Sequence, residues 1–413
     1  MTEISLFNAA LALKDPWSVV RTEFLEKEKE LHLYIDFPRG STFQCPKCQL
    51  KCPPHDSEEK IWRHLDFFQH KAFLHARVPR SNCKTHGVLT VDLPWARPNS
   101  GFSLLFEALV LTLVKSMPVL AIARLVGEHD TLIWRMIHHY VDDARSKVDM
   151  STVRKVGIDE TSVQKRHKYL TIFVDIDKSQ VLYATPGKDS ETLAPFIQDL
   201  HGHGGSTDTV REVSIDMSPA FIAGIREYLP EASITFDKFH VTKLVLDAVD
   251  KVRRSEQNES KEHYAVLKQS RFALLMNTDR MPDWLSRKLE AIKLSGLNLK
   301  SARAWRMKQT FREVYQLKGK AGEKQLRRWC SWAIRSRLEP MKKAARSILD
   351  NWSGVVHYFK SNLTNAVLES INAIFQAARA KARGYRNSNY AIAILYLLAG
   401  GLDVPHLNKF HTK

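Results

Sequence analysis

Val153-Arg-Lys-Val-Gly-Ile-Asp159-Glu160-Thr-Ser-Val163 is the stretch on which the fold of this chain turns: a short apolar strand core that ends in two acids. Working outward, Lys168 to Ile176 and Gln180 to Thr185 read as two further strands around an Asp177-Lys-Ser turn. A helix is expected from Ser190 to Leu200. The run Val210 to Ile215 reads as a fourth strand ending at Asp216, Pro219 to Tyr228 as a helix, and Ala232 to Phe236 as a fifth strand followed by Asp237 and His240.

Three strands, helix, strand, helix, strand is the order of an RNase-H-like α/β core. There the first and fourth strands are neighbours, so Asp159 and Asp216 are expected side by side. Clustered carboxylates are costly unless cations neutralise them, and hard ions that favour oxygen ligands, Mg²⁺ or Mn²⁺, suit the pair. Asp175, Asp177 and Asp189 read as ordinary turn or cap residues. A third acid is expected from the helix Thr364 to Ala382. Its apolar stripe is Val367, Ile371, Ile374 and Ala378, while Asn365, Glu369, Asn372, Gln376 and Arg379 follow one another at helical steps on another face. A solvated helix face has the same pattern. The upstream aspartates favour Glu369 as a ligand, and Arg379, Lys381, Arg383 and Arg386 then lie over substrate phosphates or form a solvated basic end.

The formal charge of +17 over 413 residues is spread along the chain, which fits a broad polyanion-binding surface. Two to four domains are expected for this length. The N-terminus lacks the basic and apolar regions of a signal peptide, and the apolar stretch Leu104 to Val114 contains Glu107 and is too short to span a membrane. A soluble cytoplasmic protein is the expectation. Residues 246–360 are basic, helical in pattern and rich in tryptophan, and are expected to be a helical insertion within the core. Its tryptophans suit a core. Trp305, in Ala-Trp-Arg-Met-Lys, alternatively stacks on an unpaired base. Cys330, among apolar neighbours, reads as a buried small hydrophobe.

Four of the five cysteines lie between Cys45 and Cys83. Cys45-Pro-Lys-Cys48 and Cys83-Lys-Thr-His86 each follow an extended stretch, the layout of a zinc ribbon in which two tight turns close a tetrahedron. Cys52 and His55 form a competing pair, disfavoured by Pro53 and Pro54. Between Ser103 and Ala144 the period turns helical. Leu104, Leu105, Ala108, Leu111 and Val114 suit one helix, and two shorter ones flank Gly127, a helix-turn-helix pattern whose last helix carries Arg135, His138 and His139 toward a major groove. An ordinary hairpin packing Leu125, Ile133 and Ile137 is the alternative. The expected parts are thus a zinc-ribbon-like domain (1–100), a helix-turn-helix (101–150), the core (151–245 and 361–413) and the insertion (246–360).

The strings Gly157-Ile-Asp-Glu-Thr, His167-Lys-Tyr-Leu-Thr, Ser214-Ile-Asp-Met-Ser, Asp237-Lys-Phe-His-Val and Thr364-Asn-Ala-Val-Leu-Glu-Ser-Ile-Asn, with Gly384-Tyr-Arg-Asn after them, resemble a bacterial insertion-sequence transposase of the ISL-three family over nearly the whole chain. The resemblance implies a DDE transposase in which Asp159, Asp216 and Glu369 hold two Mg²⁺ or Mn²⁺ ions, with Asp237 and His240 as an accessory D-x2-H motif and zinc as a structural metal. It implies double-stranded DNA as partner, both the terminal inverted repeats and the target, with a homodimer or larger assembly bringing two ends together. The second knuckle departs from the family, which has two cysteines where this chain has Cys83 and His86. A domesticated DNA-binding regulator and an RNase-H-like nuclease without joining activity are the rivals. A nucleotide hydrolase is excluded, because Pro186-Gly-Lys-Asp-Ser190 lacks the first glycine and the spacing of a phosphate loop.

Overall fold

The structure, a computed structural model, describes residues 3–164, 168–295 and 297–405; His167 of the His-Lys-Tyr-Leu-Thr string lies outside them. The chain divides into two units, the first reaching Asp142 and the second running from Asp143 to Leu402.

In the first unit, helix α1 (Glu3–Ala10) precedes strands β1 (Ser18–Leu25), β2 (Glu30–Asp36), β3 (Phe43–Gln44), β4 (Lys51–Cys52), β5 (Pro54–Phe67), β6 (His70–Cys83) and β7 (Gly87–Thr90). The main sheet has the order β1-β2-β6-β5, with β7 on β6, while β3 and β4 form a separate hairpin. Period-two alternation explains its two faces. Leu31, Leu33 and Ile35 of β2, with Ala72, Leu74, Ala76 and Val78 of β6, bury one face around Trp17, Trp62 and Trp95. The zinc knuckles are therefore carried on a larger sheet than a ribbon alone requires. Helices α2 (Leu104–Val114), α3 (Val119–Val126) and α4 (Asp130–Arg145) follow. Gly127, at φ 67°, makes the left-handed turn between α3 and α4. Ile133 and Ile137 are buried under this turn, whereas Leu125 points to solvent, so the expected packing trio holds at two of its three positions. Glu107 is fully buried and satisfied: it accepts bonds from Arg97 Nε (3.0 and 3.1 Å), Ser100 Oγ (2.7 Å) and Tyr140 Oη (2.6 Å). That network ties α2 to α4 and to the loop before it.

The second unit opens with β8 (Lys155–Gln164), β9 (Lys168–Asp175) and β10 (Gln180–Pro186), then α5 (Leu193–Gly202), β11 (Glu212–Ile215), α6 (Pro219–Tyr228) and β12 (Ser233–Phe236). The sheet order is β10-β9-β8-β11-β12. The first three strands are antiparallel, and β11 runs parallel to both β8 and β12, as the RNase-H-like order requires. Asp175 is a turn residue, accepting bonds from the backbone of Asp177 and Lys178. The helix α7 (Lys238–Gln257) passes without a break through the expected boundary at 245, so core and insertion share it. The insertion continues as α8 (Lys261–Leu267), α9 (Arg271–Leu275), α10 (Asp283–Lys293), α11 (Lys300–Val314), α12 (Gly319–Arg335), α13 (Glu339–Asp350) and α14 (Trp352–Ser361). One apolar cluster runs from Val156 and Ile215 in the sheet, through Val245 and Val249 on α7, to Phe311 and Trp329 in the insertion. Cys330 is buried in it, and burial pushes its thiol pKa up to about 12. The chain then returns to the sheet as α15 (Ala366–Lys381) and α16 (Ser388–Ala399). Among the described residues no helix is long and apolar enough to cross a membrane.

One buried amine caps a helix end inside the insertion. Lys308 Nζ donates to the carbonyls of Leu274 (2.9 Å), Leu275 (3.3 Å) and Met276 (2.9 Å), capping the end of α9. Burial, then the nearby Arg312 charge, lowers its pKa from 10.5 to about 8. The folded state thus releases this proton first, and the side chain adds stability as pH rises from about 8 toward the unfolded value. At about 1.4 kcal/mol per pH unit the ceiling is ~3.5 kcal/mol. Comparing thermal melts of the wild type and Lys308→Met should show a gap that widens between pH 7.5 and 10; a constant gap would refute the assignment.

Candidate active site and metal centre

The register of β8 and β11 builds the centre of the site. Ser214 pairs with Gly157 in parallel, so two residues further along each chain Asp216 and Asp159 come level, Asp216 just past the end of β11. Alternation along β8 sends Val156 and Ile158 into the apolar core and leaves Gly157, Asp159 and Thr161 for the opposite face. Helix α15 lies on that face and keeps step with the strand. Leu368 packs over Gly157, where a Cβ would sit 2.7 Å from its Cδ1; Asn372 Nδ2 donates to Asp159 Oδ2 (2.8 Å); Gln376 Nε2 donates to Thr161 Oγ1 (2.8 Å); and Arg379 donates to the Ser162 carbonyl (2.8 Å). Four helical residues rise about 6 Å and two strand residues about 6.6 Å, so each turn of α15 meets the next outward position of β8. The polar stripe of this helix therefore faces the sheet. Its apolar stripe is Leu368, Ile371 and Phe375, while Ile374, expected in the core, is exposed.

Around this contact the charges converge. Burial raises the Asp159 pKa above the ordinary carboxylate range, the His240 charge pulls against it, and the charges of Asp216 and Asp237 add to the rise. Glu160 is raised by burial and then by Asp216. Asp159 Oδ1 accepts from the Glu160 backbone (2.8 Å) and Asp216 Oδ1 from that of Ser218 (2.9 Å). Asp237 is spent on structure. Its Oδ2 takes bonds from the backbone of Phe239 and His240 and from His240 Nδ1 (3.1 Å), capping α7, while its Oδ1 takes the Asn365 backbone at 3.3 Å. Asn365 is buried in turn and accepts from Ser214 Oγ (2.5 Å), which fixes the start of α15 against β11. His240 sits in the first turn of α7, its pKa raised first by the bond to Asp237 and then, against burial, by the charges of Asp237, Asp216 and Asp159.

The register thus sets Asp159 and Asp216 level on neighbouring strands, with the charge of His240 felt at Asp159, but the donor atoms of these three do not all lie within 4.8 Å of one another. Glu369 is exposed on the first turn of α15, one turn before Asn372. Its carboxylate does not join Asp159 and Asp216 in a group whose donor atoms all lie within 4.8 Å; among the described residues only the zinc knuckles form such a group. A half-buried set of carboxylates balanced by one histidine nonetheless has the donor chemistry that a hard divalent cation needs. Of the basic residues beyond, Arg379 commits a guanidinium N–H to Ser162, whereas Lys381, Arg383 and Arg386 are exposed. Trp305 is half-buried against the insertion core, with Lys293 Nζ 4.5 Å from its ring and its indole nitrogen buried; the exposed tryptophans are Trp284 and Trp332. On α4, Arg135 and His139 are exposed and His138 half-buried.

The second candidate centre is compact. Cys45, Cys48, Cys83 and His86 place one donor atom each within 4.8 Å of all the others. Cys48 Sγ lies 3.7 Å from Cys83 Sγ, and His86 Nδ1 lies 3.6 Å from Cys83 Sγ and 3.8 Å from Cys45 Sγ. A tetrahedron with Zn–S of about 2.3 Å and Zn–N of about 2.0 Å has edges of ~3.8 and ~3.5 Å, so these separations fit zinc. The β3–β4 hairpin folds the first knuckle, with Cys45 N bonded to Leu50 O at 2.9 Å, and the β6–β7 turn folds the second. Cys52 packs beside the cluster without joining it, and His55 is exposed.

Three family models match successive parts of the chain. A sequence model described as a transposase matches residues 156–395, one of the helix-turn-helix domain of transposase family ISL3 matches 91–141, and one of the zinc finger of the IS204/IS1001/IS1096/IS1165 transposases matches 41–86. The transposase for insertion sequence element IS1557 of Mycobacterium tuberculosis is 29% identical, covering 97% of this chain and 96% of its own. The transposase for IS1001 of Bordetella parapertussis is 25% identical over 91% of this chain and 93% of its own.

Proposed function

The chain belongs to the ISL3 family of transposases, and on that premise we propose that it binds the terminal inverted repeats of its own insertion sequence and cuts and joins DNA there. The zinc-bearing sheet and the helix-turn-helix supply recognition, with Arg135 and His138 on α4 directed to a major groove. Asp159 and Asp216 would hold a pair of divalent cations, Mg²⁺ or Mn²⁺, and Glu369, exposed on the first turn of α15, would be the third ligand. When bound, such a pair activates the attacking water or 3′-hydroxyl and stabilises the leaving oxygen. The chain's own groups do the rest. His240, fixed through Nδ1 to Asp237, offers Nε2 to a phosphate or nucleophile. Lys381, Arg383 and Arg386 neutralise phosphates past the end of α15, while Arg379 positions that helix. Two ends must meet for joining, so the working form is a dimer or larger, bound to the nucleoid.

The observation that carries this reading is the level placement of Asp159 and Asp216 on paired strands, with α15 docked in step beside them. Incubating the full chain with Mg²⁺ or Mn²⁺ and duplexes bearing the element's ends should give cleaved and joined products, and Glu369→Gln should remove both. Unimpaired products from Glu369→Gln would overturn the third ligand. Cleavage without joining would favour the nuclease reading.

A further inference from the structure

Asn372 is singled out by what its two amide ends do. Nδ2 donates to Asp159 Oδ2 at 2.8 Å, the one hydrogen bond to that oxygen among the described residues. Oδ1, on the same amide, is buried and has no partner. Buried acceptors left unpaired are uncommon in folded proteins and point to a donor that arrives with something else. An amide is also the right chemistry to hold a metal-binding carboxylate. It fixes one oxygen without adding positive charge, whereas a lysine or arginine here would neutralise Asp159 and compete with a cation. The position is set by the step of α15 against β8, in which Asn372 alone of the stripe reaches Asp159 while Gln376 and Arg379 reach Thr161 and Ser162.

We propose that Asn372 is a positioning residue for the metal site, its Nδ2 holding Asp159 in the ligating rotamer and its Oδ1 accepting a hydrogen bond from a water carried by the cation bound there. This inference rests on Asp159 being a metal ligand, and the test separates the two claims. Mn²⁺ binding to the DNA-free full chain is measured by calorimetry and by the electron paramagnetic resonance of the bound ion, alongside metal-free thermal melts. Asn372→Ala should weaken Mn²⁺ by about 10- to 100-fold, the range for loss of a partner behind a ligand, with the metal-free melt nearly unchanged because alanine favours helix. Asn372→Gln should recover part of the affinity. Gln376→Ala, which cuts the neighbouring α15 contact without touching Asp159, should bind Mn²⁺ as the wild type does. Equal weakening in Gln376→Ala, or none in Asn372→Ala while Asp159→Asn abolishes binding, overturns the role of Asn372 and leaves the metal site standing. Binding unaffected by Asp159→Asn overturns both.

Discussion

Asp159→Asn is expected to abolish cleavage of end-bearing DNA while leaving the protein as heat-stable as the wild type, or slightly more so. The two halves have one cause. Asp159 is held in a half-buried position beside Asp216 and Asp237, with burial and those charges all opposing its ionised form. A protein tolerates such crowding where a cation is to bind, and the cost falls on the metal-free state. Replacing the carboxylate by an amide of the same shape relieves the repulsion and keeps a side chain for Asn372 to bond. The catalytic loss is large because a bound cation supplies several kcal/mol of charge stabilisation in phosphoryl chemistry. At about 1.4 kcal/mol per decade this is roughly 10³-fold or more. Mg²⁺ should raise the wild-type melting temperature by mass action and leave that of Asp159→Asn unmoved. Melting curves with and without Mg²⁺, read beside a cleavage assay, check this; an Asp159→Asn protein that is inactive because it melts many degrees lower would overturn the argument.

The catalytic core was legible in the sequence to within a residue or two, for a physical reason. Strands buried on both faces read as short apolar runs; β11 stops just before Asp216, and the apolar run of β8 stops at Ile158 although the strand continues to Gln164, so the two acids mark where each run leaves the core. Periodicity also found α15, but a period does not say what a face meets. Asn372, Gln376 and Arg379 formed a stripe compatible with solvent, and only the docking of Leu368 on Gly157 turns it to the sheet. For the same reason the sequence could not fix how far Glu369 stands from the aspartates. Strand β5 escaped notice because its first half, Asp56 to Lys60, is exposed and polar on both faces, and only Trp62 and Arg63 beyond it are buried. Glu107 was visible only as a charge inside an apolar run. Its partners Arg97, Ser100 and Tyr140 lie up to 33 residues away, where no local pattern reaches. Trp305 carried the local signal of an exposed aromatic among cations, yet tertiary packing buries much of it and leaves Trp284 outside.

Cys83→Ser is expected to release zinc and to remove end-specific DNA binding without melting the second unit. Structural zinc contributes on the order of 10–16 kcal/mol to the segment it closes, comparable with the whole stability of a domain, so a knuckle without metal does not hold its turn. The damage should nevertheless be local. The packing around the knuckles, where Cys52 lies against Cys45 and Cys83, is distinct from the apolar core around Trp17, Trp62 and Trp95, which buries most of the sheet without it. What loses its anchor is the hairpin of β3 and β4 and the turn from β6 to β7. Hydrogen exchange should therefore accelerate at residues 43–52 and 83–90, with little change in Leu31, Leu33 or Leu74. The ligand set can be checked in the same preparation by metal analysis. Cys45→Ser, Cys48→Ser and Cys83→Ser should each lose the ion, and His86→Ala should bind it more weakly, because these four supply the donor atoms that lie together. Cys52→Ser and His55→Ala should keep one zinc per chain, since His55 is exposed and the Cys52 thiol is turned to the Leu50 carbonyl at 3.4 Å. Zinc lost from Cys52→Ser but retained by His86→Ala would reassign the fourth ligand to Cys52, leaving Cys83 as the one tie between the ion and the turn from β6 to β7.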